Sequence, residues 1–73
     1  MKELDGKSET VYLWVRAYIE ENKFSSSTKI PSENTLSRKL AVSRETVRRA
    51  LERLTEEGLL LRVKGSGTYI NKE

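Results

Sequence analysis

The chain has 73 residues, of which 36% are hydrophobic, so it can form one small domain and has too few apolar residues for a second core. It contains no Cys and no His, which excludes disulfides, thiolate nucleophiles, imidazole bases and the zinc sites built from these ligands. The formal net charge is only +3, but residues 1–28 carry four basic and five acidic side chains, whereas residues 29–73 carry ten and six. We therefore expect no catalytic residue, no metal and no cofactor, and a polyanion-binding surface in the second part.

The sequence has neither the pattern of a membrane span nor that of a signal peptide. Its longest apolar run, Leu59–Leu61, is far shorter than the roughly 20 residues that cross a bilayer, and the first six residues include no apolar stretch. A cytoplasmic protein without membrane association is expected. We divide the chain into a polar leader (1–7), one domain (8–70) and a tail (71–73) that is expected to continue into a longer chain.

The first predicted element is an amphipathic helix. Its apolar residues follow the spacing i, i+3, i+4, i+7 and i+8, which is typical of a helix with one buried face: Val11, Trp14, Val15, Tyr18 and Ile19. Ser8 is the predicted N-cap, and the helix is predicted to end near Asn22 to Phe24. The run Ser25–Thr28 has no periodicity and offers competing side-chain hydrogen bonds, so it is predicted to form a loop.

Two further helices are predicted in close succession. The second covers about 33–40, with Ser32 as its N-cap and Leu36 and Leu40 as a buried pair. After Ala41 and Val42, a third helix is predicted to begin behind the cap Ser43 and to run to about Glu57. Gly58 is its predicted stop. Two helices joined by so short a turn have the spacing of a helix-turn-helix.

A β-hairpin is predicted after the third helix. Leu59–Val63 is an apolar strand, Lys64–Gly67 a glycine-rich turn, and Thr68–Ile70 a β-branched and aromatic strand. A hairpin directly after a helix-turn-helix is a wing. The predicted fold is therefore mainly α: a winged helix-turn-helix of three helices and a two- to three-stranded antiparallel wing.

The exposed face at the start of the third helix carries the candidate base-reading residues: Arg44, Glu45, Arg48 and Arg49. In a helix-turn-helix, the N-terminal residues of the second helix reach base edges in the major groove, and the arginine fork can donate to guanine O6 and N7 together. A second interpretation is a solvated face that forms ion pairs such as Arg48 with Glu52. The capped helix start and the wing favour DNA contact, most of all for Arg44 and Arg48.

Other residues are candidates for the DNA backbone and the minor groove. Ser32, Ser43 and Thr46 place hydroxyls near helix N-termini, where anions are favoured, although capping alone also accounts for them. Arg38 is expected to supply a nonspecific electrostatic contact. At the tip of the wing, a lysine side chain can enter the minor groove, and a glycine, which has no side chain, lets the backbone approach the DNA. The glycines also serve the turn itself. The wing candidates are Lys64, Gly65, Ser66 and Gly67.

Several motifs, in the right order and at the right spacing, resemble the DNA-binding domain of the GntR family over about residues 8–70. They are Ile30-Pro31-Ser32-Glu33, Val42-Ser43-Arg44, Thr46-Val47-Arg48, Ala50-Leu51, Leu54, Glu57-Gly58-Leu59 and Gly65 through Ile70. The chain departs from the family pattern in two places: Asn34 stands where the family often has Arg, and the run Ser25–Thr28 replaces the usual Pro-Gly turn.

The resemblance implies a repressor-like regulator that binds a palindromic operator on double-stranded DNA as a homodimer. It also implies a C-terminal domain that binds a small-molecule effector. By motif position, Arg44 and Arg48 take the base-reading roles, while Ser43 and Thr46 contact phosphates. Lys64 and Gly65 are implied as wing contacts. We assign a backbone contact to Asn34 as well.

Two other functions compete with DNA binding as explanations of this sequence. A winged helix that binds a protein partner is suggested by the acidic residues Glu45, Glu52 and Glu56 on the outer face of the third helix. An enzyme is not expected, because the acidic residues are adjacent in sequence or spread over solvated faces, and none are placed to share a pocket.

Overall fold

The first helix begins earlier than the sequence pattern indicates. In the computed structural model, which describes residues 5–23 and 28–71, helix α1 spans Gly6–Glu21. Its N-cap is Asp5, whose carboxylate accepts the backbone N–H of Ser8 at 2.8 Å. The prediction of Ser8 as the N-cap is therefore wrong, and the last two residues of the predicted polar leader are helical. Asp is as strong a cap as Ser, so local preference is equally compatible with a start three residues earlier than the predicted one.

The end of α1 agrees with the prediction. Asn22 is the C-cap, and its backbone N–H donates to the carbonyl oxygens of Tyr18 and Ile19. Phe24 and most of the predicted loop, residues 25–27, lie outside the described residues. Thr28 is described, and its carbonyl oxygen accepts the backbone N–H of Ile70 at 2.9 Å. Thr28 therefore lies beside the second strand of the hairpin rather than in a free loop.

Helix α2 spans Glu33–Leu40, as predicted, and helix α3 spans Arg44–Glu56. The hydroxyls of the predicted caps, Ser32 and Ser43, accept the backbone N–H groups of the third helical residues at 3.1 Å. Between the helices, Ala41 has a φ of 58°, and this left-handed residue closes α2 and turns the chain. Gly58, with a φ of 82°, follows the C-cap of α3, which confirms it as the predicted stop.

The hairpin is the predicted wing, with each strand shifted by one residue at its start. Strand β1 spans Leu60–Val63 and pairs antiparallel with β2, Gly67–Ile70. On the other edge of β2, the backbone N–H of Ile30 donates to the carbonyl of Thr68 at 2.9 Å, and Lys29 bridges Tyr69. The predicted two- to three-stranded wing is thus two strands and a short paired segment on the outer edge.

The core lies between α1, α2, α3 and the inner face of the wing. Both α1 and α2 pack against α3, and β1 continues from it. Apolar residues from every element form one buried cluster: Val11, Val15, Ile19, Ile30, Leu36, Val47, Ala50, Leu51, Leu54, Leu60 and Ile70. Because α3 is held on its apolar face by two helices, its opposite face is presented to solvent in a fixed orientation.

A polar contact joins the middle of α1 to the C-terminal end of α3. The Tyr12 hydroxyl donates to a carboxylate oxygen of Glu57 at 2.6 Å, and the other oxygen accepts from Arg53 at 3.2 Å. The hydrogen bond to the Glu57 carboxylate raises the pKa of Tyr12.

Among the described residues, none of the helices combines the length and the apolar character that a membrane span requires.

Candidate nucleic-acid interface

The start of α3 presents its charged residues on two sides. The cap Ser43 is bonded to Thr46 through both the backbone N–H, at 3.1 Å, and the hydroxyl, at 2.9 Å. Both hydroxyls are therefore already engaged locally, which agrees with capping as their first role. Arg44 and Arg48 are exposed on the side of the wing, and Arg49 lies on the other side, towards the start of α1.

Arg44 borders an open cleft between three parts of the chain. The cleft is lined by residues 29–34 before and at the start of α2, by Arg44 of α3, and by Arg62 and residues 66–68 of the hairpin. In the ranges 5–23 and 28–71, no carboxylate pairs with Arg44. Its guanidinium is therefore available to an external anion, and it lies at the first residue of α3, on the side of the wing.

Arg48 and Arg62 meet at a shared carboxylate. Glu33, at the start of α2, has one oxygen 3.5 Å from the Arg48 guanidinium and accepts a 3.1 Å hydrogen bond from Arg62 at the other. The alternative pair of Arg48 with Glu52 does not form, because Arg48 turns to Glu33 instead. Arg48 nevertheless keeps 54% of its side chain exposed.

Arg49 and Glu45 form a separate ion-paired group. The Arg49 guanidinium lies 3.5 Å from the Glu45 carboxylate and 3.9 Å from that of Asp5. The hydrogen bond from the Ser8 backbone N–H lowers the pKa of Asp5, and the charge of Arg49 adds to this effect. All three charged side chains are exposed, so the group is only weakly held. The structure therefore does not bring Arg49 and Glu45 together with Arg44.

The side chains of α2 that were singled out lie apart from one another. Asn34 is exposed and lines the cleft beside Arg44, whereas Arg38 is exposed in the last turn of the helix. Its neighbour Lys39 lies over the Trp14 ring at 6.0 Å, so it faces α1. Arg38 thus remains a cation on the outer surface of α2, separate from the cleft.

The tip of the wing is an exposed turn of Lys64, Gly65 and Ser66. Gly65 has a φ of 80°, so the turn role predicted for it is confirmed. At Gly67, with a φ of 140°, an added Cβ would lie 2.4 Å from the Lys29 side chain. Gly67 therefore serves both the backbone conformation and the close passage of Lys29, which brings a second cation to the wing.

Sequence reasoning missed three contributors: Lys29, Arg62 and the bridging role of Glu33. Arg62 was not predicted as a site residue because residues 59–63 were interpreted as one apolar strand. Period-2 alternation was the available signal: Leu60 points into the core, so Arg62 lies on the same side of the strand, towards α2. The bridge itself had no sequence signal, because Glu33, Arg48 and Arg62 come together only through tertiary packing.

Three helices with a hairpin wing, and an arginine-bearing helix beside that wing, define a winged helix-turn-helix of the DNA-binding class. A family model described as bacterial regulatory proteins, gntR family, matches residues 7–70, and the chain belongs to this family. The resemblance inferred from the motifs is thereby confirmed, as is the predicted fold. The family comprises transcriptional regulators and not enzymes, in agreement with the expectation from the acidic residues.

Curated relatives and solved structures agree with this assignment. The chain is 39% identical over 70 residues to the HTH-type transcriptional regulator YurK of Bacillus subtilis (strain 168), covering 90% of this chain and 29% of the relative. It is 38% identical over 58 residues to the transcriptional repressor NagR of the same organism, covering 80% and 24%. The AraR DNA-binding domain in complex with an operator is 38% identical and superposes with a TM-score of 0.80, covering 88% of this chain and 77% of that one. The chain thus spans less than a third of either curated relative.

Proposed function

We propose that this chain binds double-stranded DNA in a sequence-specific manner, with α3 in the major groove and the tip of the wing in the minor groove. The observation that carries the proposal is the position of Arg44. It is an exposed arginine at the N-terminal turn of α3, without an intramolecular carboxylate in the described ranges, at the mouth of the cleft between α3 and the wing. The related AraR domain, of the same fold, is seen with an operator.

The roles of the side chains follow from their places around the cleft. Arg44 and Arg48 are proposed to read base edges, because a guanidinium can donate two parallel hydrogen bonds to one guanine. Glu45 and Arg49 are proposed as further base contacts at the other side of α3, where an incoming duplex would replace their mutual ion pair. Phosphate contacts are proposed for the following residues: Ser32, Asn34, Arg38, Ser43 and Thr46.

The wing is proposed to contact the minor groove through Lys64 and the backbone of Gly65, Ser66 and Gly67. The turn is exposed, and Gly65 carries no side chain that would keep its backbone from the DNA. The alternative, a winged helix that binds a protein partner, depends on the acids of α3. Glu45 is already paired with Arg49, which leaves this surface less acidic than the sequence suggests.

Salt dependence tests the DNA proposal directly. If the three cations not assigned to a base, Lys29, Arg38 and Lys64, each neutralise one phosphate, the log–log slope of the binding constant against salt concentration should be about −2.7, since each contact contributes about −0.9. The slope can be measured by fluorescence anisotropy with a labelled duplex between low and moderate salt. A binding constant that does not change with salt, or no binding at low salt, would rule out DNA as the partner.

Matched variants assign the slope to particular residues. Lys64→Ala should reduce its magnitude by about 0.9. Lys23→Ala is the control, because Lys23 lies just beyond α1 and pairs with Glu20 at 3.4 Å. It should leave the slope unchanged.

We further propose that the chain acts within a longer, dimeric cytoplasmic regulator that represses transcription from a palindromic operator. The curated relatives are several times longer than the matched region, and NagR is named a repressor. One recognition helix reads only a few base pairs, whereas a genome offers on the order of a million competing sites, so two copies are needed for selectivity. A C-terminal domain is proposed to bind the small-molecule effector and to hold the dimer.

The described surface predicts weak self-association of this chain on its own. Among the described residues, only three large hydrophobic side chains are exposed, Leu13, Leu61 and Val63, and they are divided between α1 and β1. Sedimentation velocity at micromolar concentration should therefore give a monomer. On a symmetric duplex, footprinting with the longer protein should show two protected half-sites. A tight dimer of the chain without DNA, or protection of one asymmetric half-site by the longer protein, would contradict this proposal.

A further inference from the structure

Glu33 holds two arginines from different parts of the fold. Its side chain is partly buried, with 24% exposed, and each carboxylate oxygen faces a different guanidinium. Oε1 lies 3.5 Å from Nη2 of Arg48 on α3, and Oε2 lies 3.1 Å from Nη2 of Arg62 on β1. One side chain of α2 therefore connects the recognition helix with the wing.

This bridge is poorly suited to a purely stabilising role. Arg48 and Arg62 keep 54% and 40% of their side chains exposed, and ion pairs in such surroundings contribute little to stability because solvent screens them. The bridge does restrict two long, flexible side chains. An arginine side chain that is free in solution loses much rotamer freedom when it binds DNA. A partner that orders the side chain beforehand removes part of this entropic cost.

The charge of Glu33 also acts against indiscriminate binding. It places a carboxylate beside the cleft in which Arg44 and the wing lie, where a phosphate backbone would approach. A negative charge at this position repels every duplex, whatever its sequence. On the correct sequence this loss of affinity is offset by the base contact of Arg48, which Glu33 holds in place.

We propose that Glu33 is a positioning residue for DNA specificity: it orients Arg48 and Arg62 together and lowers the affinity for DNA of random sequence. This inference rests on the proposed DNA-binding function. It assigns no contact between Glu33 and a base. Its consequence is that base reading by α3 and docking of the wing are coupled through one carboxylate.

Glu33→Gln tests the proposal. A glutamine side chain has a single acceptor oxygen, so it can serve one guanidinium but not both, and it removes the negative charge. The affinities for two labelled duplexes are measured by anisotropy: a palindromic duplex selected by the unmodified chain from a randomised library, and a scrambled duplex of the same composition. The ratio of the two affinities should fall by about twofold to tenfold, the effect of losing the prior ordering of one or two side chains. Binding to the scrambled duplex should strengthen.

Two further variants keep the test decisive. Glu20→Gln removes an equal charge from α1, where Glu20 pairs with Lys23, and should leave the affinity ratio unchanged. Arg62→Gln opens the bridge from the wing and should also lower the ratio, so it replaces Glu33→Gln if that variant does not fold. Folding of each variant is checked by its thermal melting temperature.

The outcomes separate this inference from the proposed function. If the unmodified chain binds no duplex, the proposed function itself is wrong. If it binds selectively but the ratio stays unchanged in both Glu33→Gln and Arg62→Gln, the positioning role is wrong. An equal loss of affinity for both duplexes also overturns it, because that pattern indicates a structural role alone. So does an equal fall of the ratio in Glu20→Gln.

Discussion

Replacing Arg48 by alanine should weaken binding to the selected palindromic duplex by about 1 to 3 kcal/mol and relax the preference at one base pair in each half-site. The reason is the loss of the proposed bidentate contact from an exposed guanidinium near the start of α3. The measurement is a comparison of affinities for the selected duplex and for duplexes with each base pair changed in turn.

Two variants separate base reading by Arg48 from its charge. Arg48→Lys keeps the charge but cannot form the two parallel hydrogen bonds of the guanidinium, so it should retain the salt slope and lose the base preference. Arg38→Ala removes a cation from the outer surface of α2 and should weaken all duplexes by the same factor. If Arg48→Ala and Arg38→Ala reduce selected and scrambled binding equally, Arg48 does not read a base.

Leu54→Ala should remove most of the stability of the isolated domain at 25 °C. Leu54 is fully buried in the single hydrophobic cluster, on the helix against which α1 and α2 pack. Truncation of a buried leucine to alanine costs about 2 to 5 kcal/mol, and a core of this size supports only about 3 to 5 kcal/mol of net stability. Urea unfolding followed by circular dichroism measures the loss.

Glu52→Ala is the matched control for Leu54→Ala, because Glu52 is exposed on the same helix. It should change the free energy of unfolding by about 0.5 kcal/mol or less. Saturating duplex DNA should restore part of the helical signal of Leu54→Ala, since a ligand that binds only the folded state shifts the equilibrium towards it. If both variants unfold at the same urea concentration, the core is less dependent on α3 than the structure indicates.

The local elements were predictable because their signals lie within a few residues of each other. Ser32 and Ser43 mark helix starts through a hydrogen bond to a residue three positions later, and Gly58 marks a stop through its positive φ. The start of α1 was not resolved by such signals, since Asp5 and Ser8 are both suitable caps. The hydrogen bond from the Ser8 backbone N–H holds Asp5 as the cap, and Arg49 of α3, 3.9 Å from its carboxylate, adds a weak nonlocal contribution.

By itself, the sequence determined the three helices, the hairpin, the family resemblance and the arginine-bearing face of α3, because helical periodicity, caps and turn residues act over short distances. Only the tertiary structure decided how the charges are paired. Arg48 was as close in sequence to Glu52 as Arg49 is to Glu45, yet it turns to Glu33, fifteen positions earlier in the chain, and shares it with Arg62. A carboxylate is reached by whichever guanidinium the packed backbone brings within about 4 Å, and that distance is set by how α2, α3 and the wing meet.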